Sequence, residues 1–122
     1  MAAGAGGVDT LWGGGGADTF VFREMGTANA DRVSDFASGL DKLAVDDAAF
    51  SAIGAAGGFG VGDARFWSSA SGMAHDADDR VIFDTSTGSL YYDADGNGSG
   101  AAQLIATVQS GATVVATDIV VI

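Results

Sequence analysis

The chain has 122 residues, enough for one domain with a modest core. Sixteen acidic residues oppose five basic ones, a formal net charge of −11, and that balance disfavours nucleic acid and anionic membrane surfaces as partners. The absence of cysteine excludes disulfides and thiolate metal sites, so a small, glycine-rich chain is left with oxygen-ligated cations as its main outside source of stability.

All but one of the acids are Asp, the residue of turns and of short-armed oxygen ligation. No apolar run reaches membrane-spanning length, so stable membrane insertion is not expected. The opening "MAAGAGG" has neither a basic n-region nor an apolar h-region, and it reads as a start cut into a longer array. Upstream domains of a longer parent chain are therefore expected.

A nine-residue period, G-G-x-G-x-D-x-U-x with U apolar, runs through the first third. Gly13, Gly14, Gly16, Asp18 and Phe20 fill all five of its defined positions. Just upstream, Gly4, Gly7, Asp9 and Leu11 fill four of them, with Ala5 in place of the second glycine. After an insertion at 22–25, Gly26, Asn29, Asp31 and Val33 make a worn copy, and Gly39, Asp41 and Leu43 a fourth. Each unit predicts a turn followed by a short strand with its middle side chain inward, and two units make one coil of a parallel β-roll. Neighbours on one side of such a roll lie two units apart. That pairs Asp9 with Asp31 and Asp18 with Asp41 between successive coils. Glycines let the turns expose carbonyl oxygens, and carbonyls with short carboxylates are the donor set that Ca²⁺ selects.

These residues resemble the end of an RTX (repeats-in-toxin, hemolysin-type calcium-binding) array. "DRVSDFASGLDKLAV" is similar to the D-x-I-x-DF-x-x-G-x-DKI segment that closes such arrays in serralysin-type proteins, with Val33 and Leu43 in place of isoleucines. The resemblance implies calcium ligation by Gly4, Gly7, Asp9, Gly13, Gly14, Gly16, Asp18, Asp31 and Asp41, the glycines through their carbonyls. It also implies a secreted, extracellular or cell-surface location, and a C-terminal signal read transiently by a type I secretion apparatus. That signal would be Asp118, Ile119, Val120, Val121 and Ile122, which read equally as a terminal strand docked in a sheet.

Asp46 can cap a short helical turn over "DAAFSAIG", with Phe50 and Ile53 on one face, plugging the end of the roll. Residues 54–74 read as glycine-rich loop, in which Phe66 and Trp67 need cover. From Arg80 the pattern turns antiparallel: "RVIFD", a "TSTG" turn, "SLYYD", then "QLIATV" and "DIVVI". This half, too, is similar to the tail that follows RTX arrays, through "DDRVIFDTSTGSLYYDADGNGSG". Asp93, Asp95, Asn97 and Gly98 match the head of a calcium loop, but Leu104 stands where an EF-hand needs Glu. Two readings stay open there, a calcium-binding hairpin tip and a polar Asn-Gly turn. Asp78 and Asp79 beside Arg80 read as a solvated charge cluster.

His75 is the only histidine, and no base, nucleophile and oxyanion donor can be assembled from these motifs, so no catalysis is expected from this chain. The expected architecture is all-β: a short parallel β-roll over residues 1–45, capped by a small antiparallel sheet and one short helix in a capping and secretion-signal region over 46–122, the two forming one folding unit. The expected function is a Ca²⁺-binding module for calcium-dependent folding and export. The alternatives are the non-catalytic tail of a secreted protease, lipase or glycan-active enzyme, and an adhesin or polysaccharide-binding module using Trp12, Trp67, Tyr91 and Tyr92.

Overall fold

The structure, a computed structural model, describes residues 2–3, 10–22, 31–48, 50, 53, 57–60, 63, 65–70, 78–93, 102–109 and 112–122. The first third winds as the nine-residue period requires. Strands β1 (Ala2–Ala3), β2 (Thr10–Leu11), β3 (Thr19–Phe22), β4 (Asp31–Val33) and β5 (Lys42–Val45) alternate between two sheets. One sheet pairs β1, β3 and β5 in parallel, and the other pairs β2 with β4 in parallel. The register Ala2 to Phe20 spans two nine-residue units, whereas Thr10 to Arg32 and Thr19 to Lys42 run four and five residues longer. The insertion at 22–25 accounts for the first four extra residues. Asp35, a single residue between the third and fourth units, accounts for the fifth.

The remaining strands extend both sheets instead of stacking a separate one. They are β6 (Gly57–Gly58), β7 (Phe66–Ser69), β8 (Val81–Asp84), β9 (Ser89–Tyr92), β10 (Gln103–Val108) and β11 (Ile119–Val121). The strand orders are β1-β3-β5-β11-β6 and β2-β4-β10-β9-β8-β7. The expected hairpin is present, since β8, β9 and β10 are antiparallel. However, β10 lies parallel to β4, and β11 lies parallel to β5. Phe66 and Trp67 sit on an edge strand parallel to β8 rather than in a loop, with Phe66 opposite Val81 and Trp67 opposite Ile82.

One apolar core lies between the sheets. Phe20, Leu43, Phe50, Ile53, Phe83, Leu90, Ile105 and Ile119 are all fully buried in it. Each such side chain contributes roughly 1.5–3 kcal/mol of transfer free energy, so β11 at the C-terminus is as much a core strand as β3 and β5. The predicted inward residues Leu11, Phe20, Val33 and Leu43 all belong to this cluster.

The described residues after Asp46 keep one bond at the four-residue spacing of the expected helical turn and one at the tighter three-residue spacing. The Phe50 N–H donates to the Asp46 carbonyl at 2.9 Å, the Ala48 N–H to the Asp46 carboxylate at 2.9 Å, and the Ile53 N–H to the Phe50 carbonyl at 3.0 Å. These are successive turns. Ala49, Ser51, Ala52 and Gly54 lie outside the described residues. Phe50 and Ile53 nevertheless plug the core as expected, Phe50 edge-on to Tyr92 at 5.1 Å. Among the described residues the one helical element is a 3₁₀ turn, Ala116–Asp118, and no helix is long and apolar enough to cross a membrane.

Candidate metal centre

The glycine turn between β2 and β3 is built by three features of its sequence. Gly14 and Gly16 take positive φ, 82° and 81°, a conformation an L side chain strains to adopt. Gly39, at the position equivalent to Gly16 on the next coil, takes the same conformation at 82°. Gly13 is needed for space: a Cβ there would lie 2.5 Å from the Asp18 Oδ2 and 2.8 Å from the Asp18 Cβ. The Asp18 side chain therefore folds back over the turn and rests on the Gly13 backbone.

Asp18 and Asp41 stack on adjacent coils, as the period predicts. The Asp18 N–H donates to the Asp41 Oδ1 at 2.8 Å, and the Lys42 N–H donates to the Asp18 carbonyl at 2.8 Å. The Asp41 Oδ2 accepts from the Ala37 N–H at 2.9 Å, so both Asp41 oxygens bind backbone donors and tie one coil to the next. Asp18 differs. Its Oδ2 is buried and accepts no hydrogen bond. A buried carboxylate oxygen without a donor costs about 1–3 kcal/mol or more, a cost that a cation in the glycine turn removes.

Two further carboxylates hold the turns, and the repeat alone does not mark them. Asp35 accepts from the Gly13 N–H at 2.9 Å and the Gly14 N–H at 2.8 Å. Those two bonds, Gly13 first, hold its carboxyl below the usual range. Asp118 accepts from the Gly39 N–H at 2.9 Å, the Ser38 hydroxyl at 2.6 Å and the Val115 N–H at 3.0 Å. It is fully buried. A carboxylate thus follows each turn of this edge: Asp41 binds the coil of Asp18, and Asp118 binds the turn before Asp41. Lys42 reaches the same C-terminal segment, its Nζ 2.8 Å from the Thr117 carbonyl. The signal for Asp118 was present in the sequence, because "DTFVF", "DKLAV" and "DIVVI" all set an Asp before an apolar strand.

The other predicted ligands divide in two. Gly4, Gly7, Asp9, Asp95 and Asn97 lie outside the described residues, and with Asp9 goes its pairing to Asp31, as does His75. Asp31 is buried at the start of β4, and Asp93 is buried beyond β9 with its N–H on the Arg80 carbonyl at 2.9 Å. Among the described residues no three His, Cys, Asp or Glu side chains converge on one point. The carbonyls of the glycine turn, Gly13, Gly14 and Gly16 among them, are the further oxygen donors that the repeat sets before Asp18. Asp79 departs from the sequence reading: it is fully buried rather than solvated, because the strand it precedes enters the sheet beside Arg65, whose carbonyl accepts the Arg80 and Val81 N–H groups.

Residues 1–121 match the family model for the peptidase M10 serralysin C terminal. The chain belongs to that family. The match covers both the wound strands and the C-terminal strands that join their sheets. No curated protein gives a significant match. Membership accounts for the serralysin-like "DRVSDFASGLDKLAV" segment, which in this structure supplies Asp35, Asp41 and the β5 strand.

Proposed function

We propose that this serralysin C-terminal unit is a non-catalytic, Ca²⁺-dependent folding and export module of a secreted protein. The observation that carries the reading is the Asp18 Oδ2, buried without a donor over a turn that only glycine can form. Asp18 and the carbonyls of Gly13, Gly14 and Gly16 would hold the ion. Asp31 and Asp93 are further candidate ligands. Residues 1–45 are the roll and 46–122 the capping region, a division supported by the repeats ending near β5 and by both sheets continuing past it.

The stacked carboxylates supply the switch. In a calcium-poor cytosol, Asp18, Asp35, Asp41 and Asp118 repel one another along one edge, and the glycines favour the disordered chain. Outside the cell, an ion bound only by the folded state adds RT ln(1 + [L]/Kd), about 2.7 kcal/mol per site at a hundredfold excess over Kd. The C-terminal residues 118–122, proposed as the export signal, are then drawn into the core as β11. A type I secretion apparatus can read them only before that happens.

The test is a far-UV circular dichroism titration from EGTA into millimolar CaCl₂, with MgCl₂ as control. The expected result is a calcium-specific rise in β signal that Asp18→Ala weakens. A spectrum identical in chelator and calcium would refute it.

A further inference from the structure

Three of the four described cations have a hydrogen-bond partner, and Arg32 does not. Among the described residues Lys42 binds the Thr117 carbonyl, Arg65 pairs with Asp63 at 2.8 Å, and Arg80 binds the Asp79 carbonyl at 2.8 Å. Arg32, exposed on β4, makes no hydrogen bond or ion pair among them. In a chain with sixteen acids, an arginine with no carboxylate partner among the described residues is unexpected. It lines a cleft of about 450 Å³ at the carboxyl ends of β4 and β10, walled on the far side by the tip of the β8–β9 hairpin. That volume lies within the usual range for small-ligand sites.

Its described lining is mostly polar and contains no acid. Besides Arg32 it includes Ser34, Thr85 and Thr107, whose hydroxyls make no hydrogen bond among the described residues. Thr107 stands directly opposite Arg32 across the β4–β10 pair, so the two project side by side. The walls are held rigid: Gln109 clamps Phe36 through its carbonyl at 2.6 Å and its N–H at 3.0 Å. The Val108 N–H donates to the Gly88 carbonyl at 2.8 Å, which fixes the hairpin tip against β10. No lining residue belongs to the Asp18 turn, so this cleft is separate from the proposed calcium centre.

We propose that the cleft binds a monocarboxylate carrying several hydroxyl groups, a sugar acid of the uronate type. Arg32 takes the carboxylate, and Ser34, Thr85 and Thr107 take the hydroxyls. A planar guanidinium matches a carboxylate with two parallel hydrogen bonds, and hydroxyl side chains serve as donor or acceptor toward a polyol. One cation balances one negative charge, and the field of a chain at −11 opposes a phosphate dianion. A neutral sugar would lack the ionic anchor, and the described lining has no aromatic ring on which to stack one.

The experiment is a two-dimensional amide NMR titration of the full chain in calcium buffer at constant ionic strength. Sodium glucuronate, glucose and inorganic phosphate serve as separate probes. Glucuronate is expected to give saturable shifts at Arg32, Thr85 and Thr107, with glucose and phosphate weaker by about tenfold or more, the usual value of a charge-assisted contact. Arg32→Gln should abolish the saturation while leaving the circular dichroism unchanged. If that variant does not fold, Thr107→Val, which keeps the strand's shape, should weaken glucuronate alone. The proposal is overturned by non-saturable shifts, by glucose matching glucuronate, by phosphate binding as well or better, or by full affinity in either folded variant.

Discussion

Replacing Asp118 by Ala removes a fully buried carboxylate that accepts from the Gly39 N–H, the Ser38 hydroxyl and the Val115 N–H. Hydrogen bonds to a charged group contribute roughly 1.5–3 kcal/mol each. Ser38 and Gly39 lie on the exposed turn and can turn to water, so the three do not add in full. A loss of about 2–4 kcal/mol is expected, a large share of the 5–15 kcal/mol typical of a domain. At about 4 °C per kcal/mol for a chain of this size, the melting temperature should fall by on the order of 10 °C. The assay is urea unfolding followed by circular dichroism in saturating calcium, where the midpoint should drop with an unchanged slope. Asp118→Asn keeps one acceptor and should fall between wild type and Ala. A loss below about 0.5 kcal/mol for Ala, or Asn worse than Ala, would refute the view that this carboxylate ties the C-terminus to the roll. The same pair of variants separates stability from export, because a secretion defect in Asn larger than its stability loss points to the signal itself.

Gly13→Ala places a methyl 2.5 Å from the Asp18 Oδ2 and should lower calcium affinity about tenfold or more by calorimetry, as displacement of a ligand-bearing side chain usually does; unchanged affinity would detach Asp18 from the site. Gly88→Ala puts a Cβ 2.7 Å from the Val108 carbonyl oxygen at a φ of 75°, so a loss of about 1–3 kcal/mol is expected in urea unfolding. The Arg65 side chain holds the Asp63 carboxyl down to about 2 from an ordinary 3.8. A depressed carboxylate contributes stability above its unfolded pKa and loses it as pH falls through the folded one. Asp63 should therefore contribute about 1 kcal/mol above pH 4 after screening by solvent, vanishing toward pH 2, and Asp63→Asn should flatten the acid limb of the stability profile over that window.

The nine-residue period by itself determined the wound strands, the inward row Leu11, Phe20, Val33 and Leu43, and the stacking of Asp18 on Asp41. Those features follow from local repetition: each unit meets a near-copy of itself two units away, so spacing along the chain becomes spacing in the roll. The hairpin of residues 81–92 was equally legible, since alternation and a tight turn are local signals. Only the tertiary structure decided where the later strands go. The parallel pairings of Ile119 with Leu43 and of Ala106 with Asp31 join segments more than seventy residues apart, with no turn to fix their register. That choice buries Asp118 against the Gly39 turn and leaves Arg32 beside Thr107 in a cleft with no acid among its described lining. "DIVVI" carries the same Asp-then-apolar pattern as the roll units, yet a short apolar strand can dock on any open parallel edge. Burial of Ile119 and Val121 between β5 and β6 selected this one.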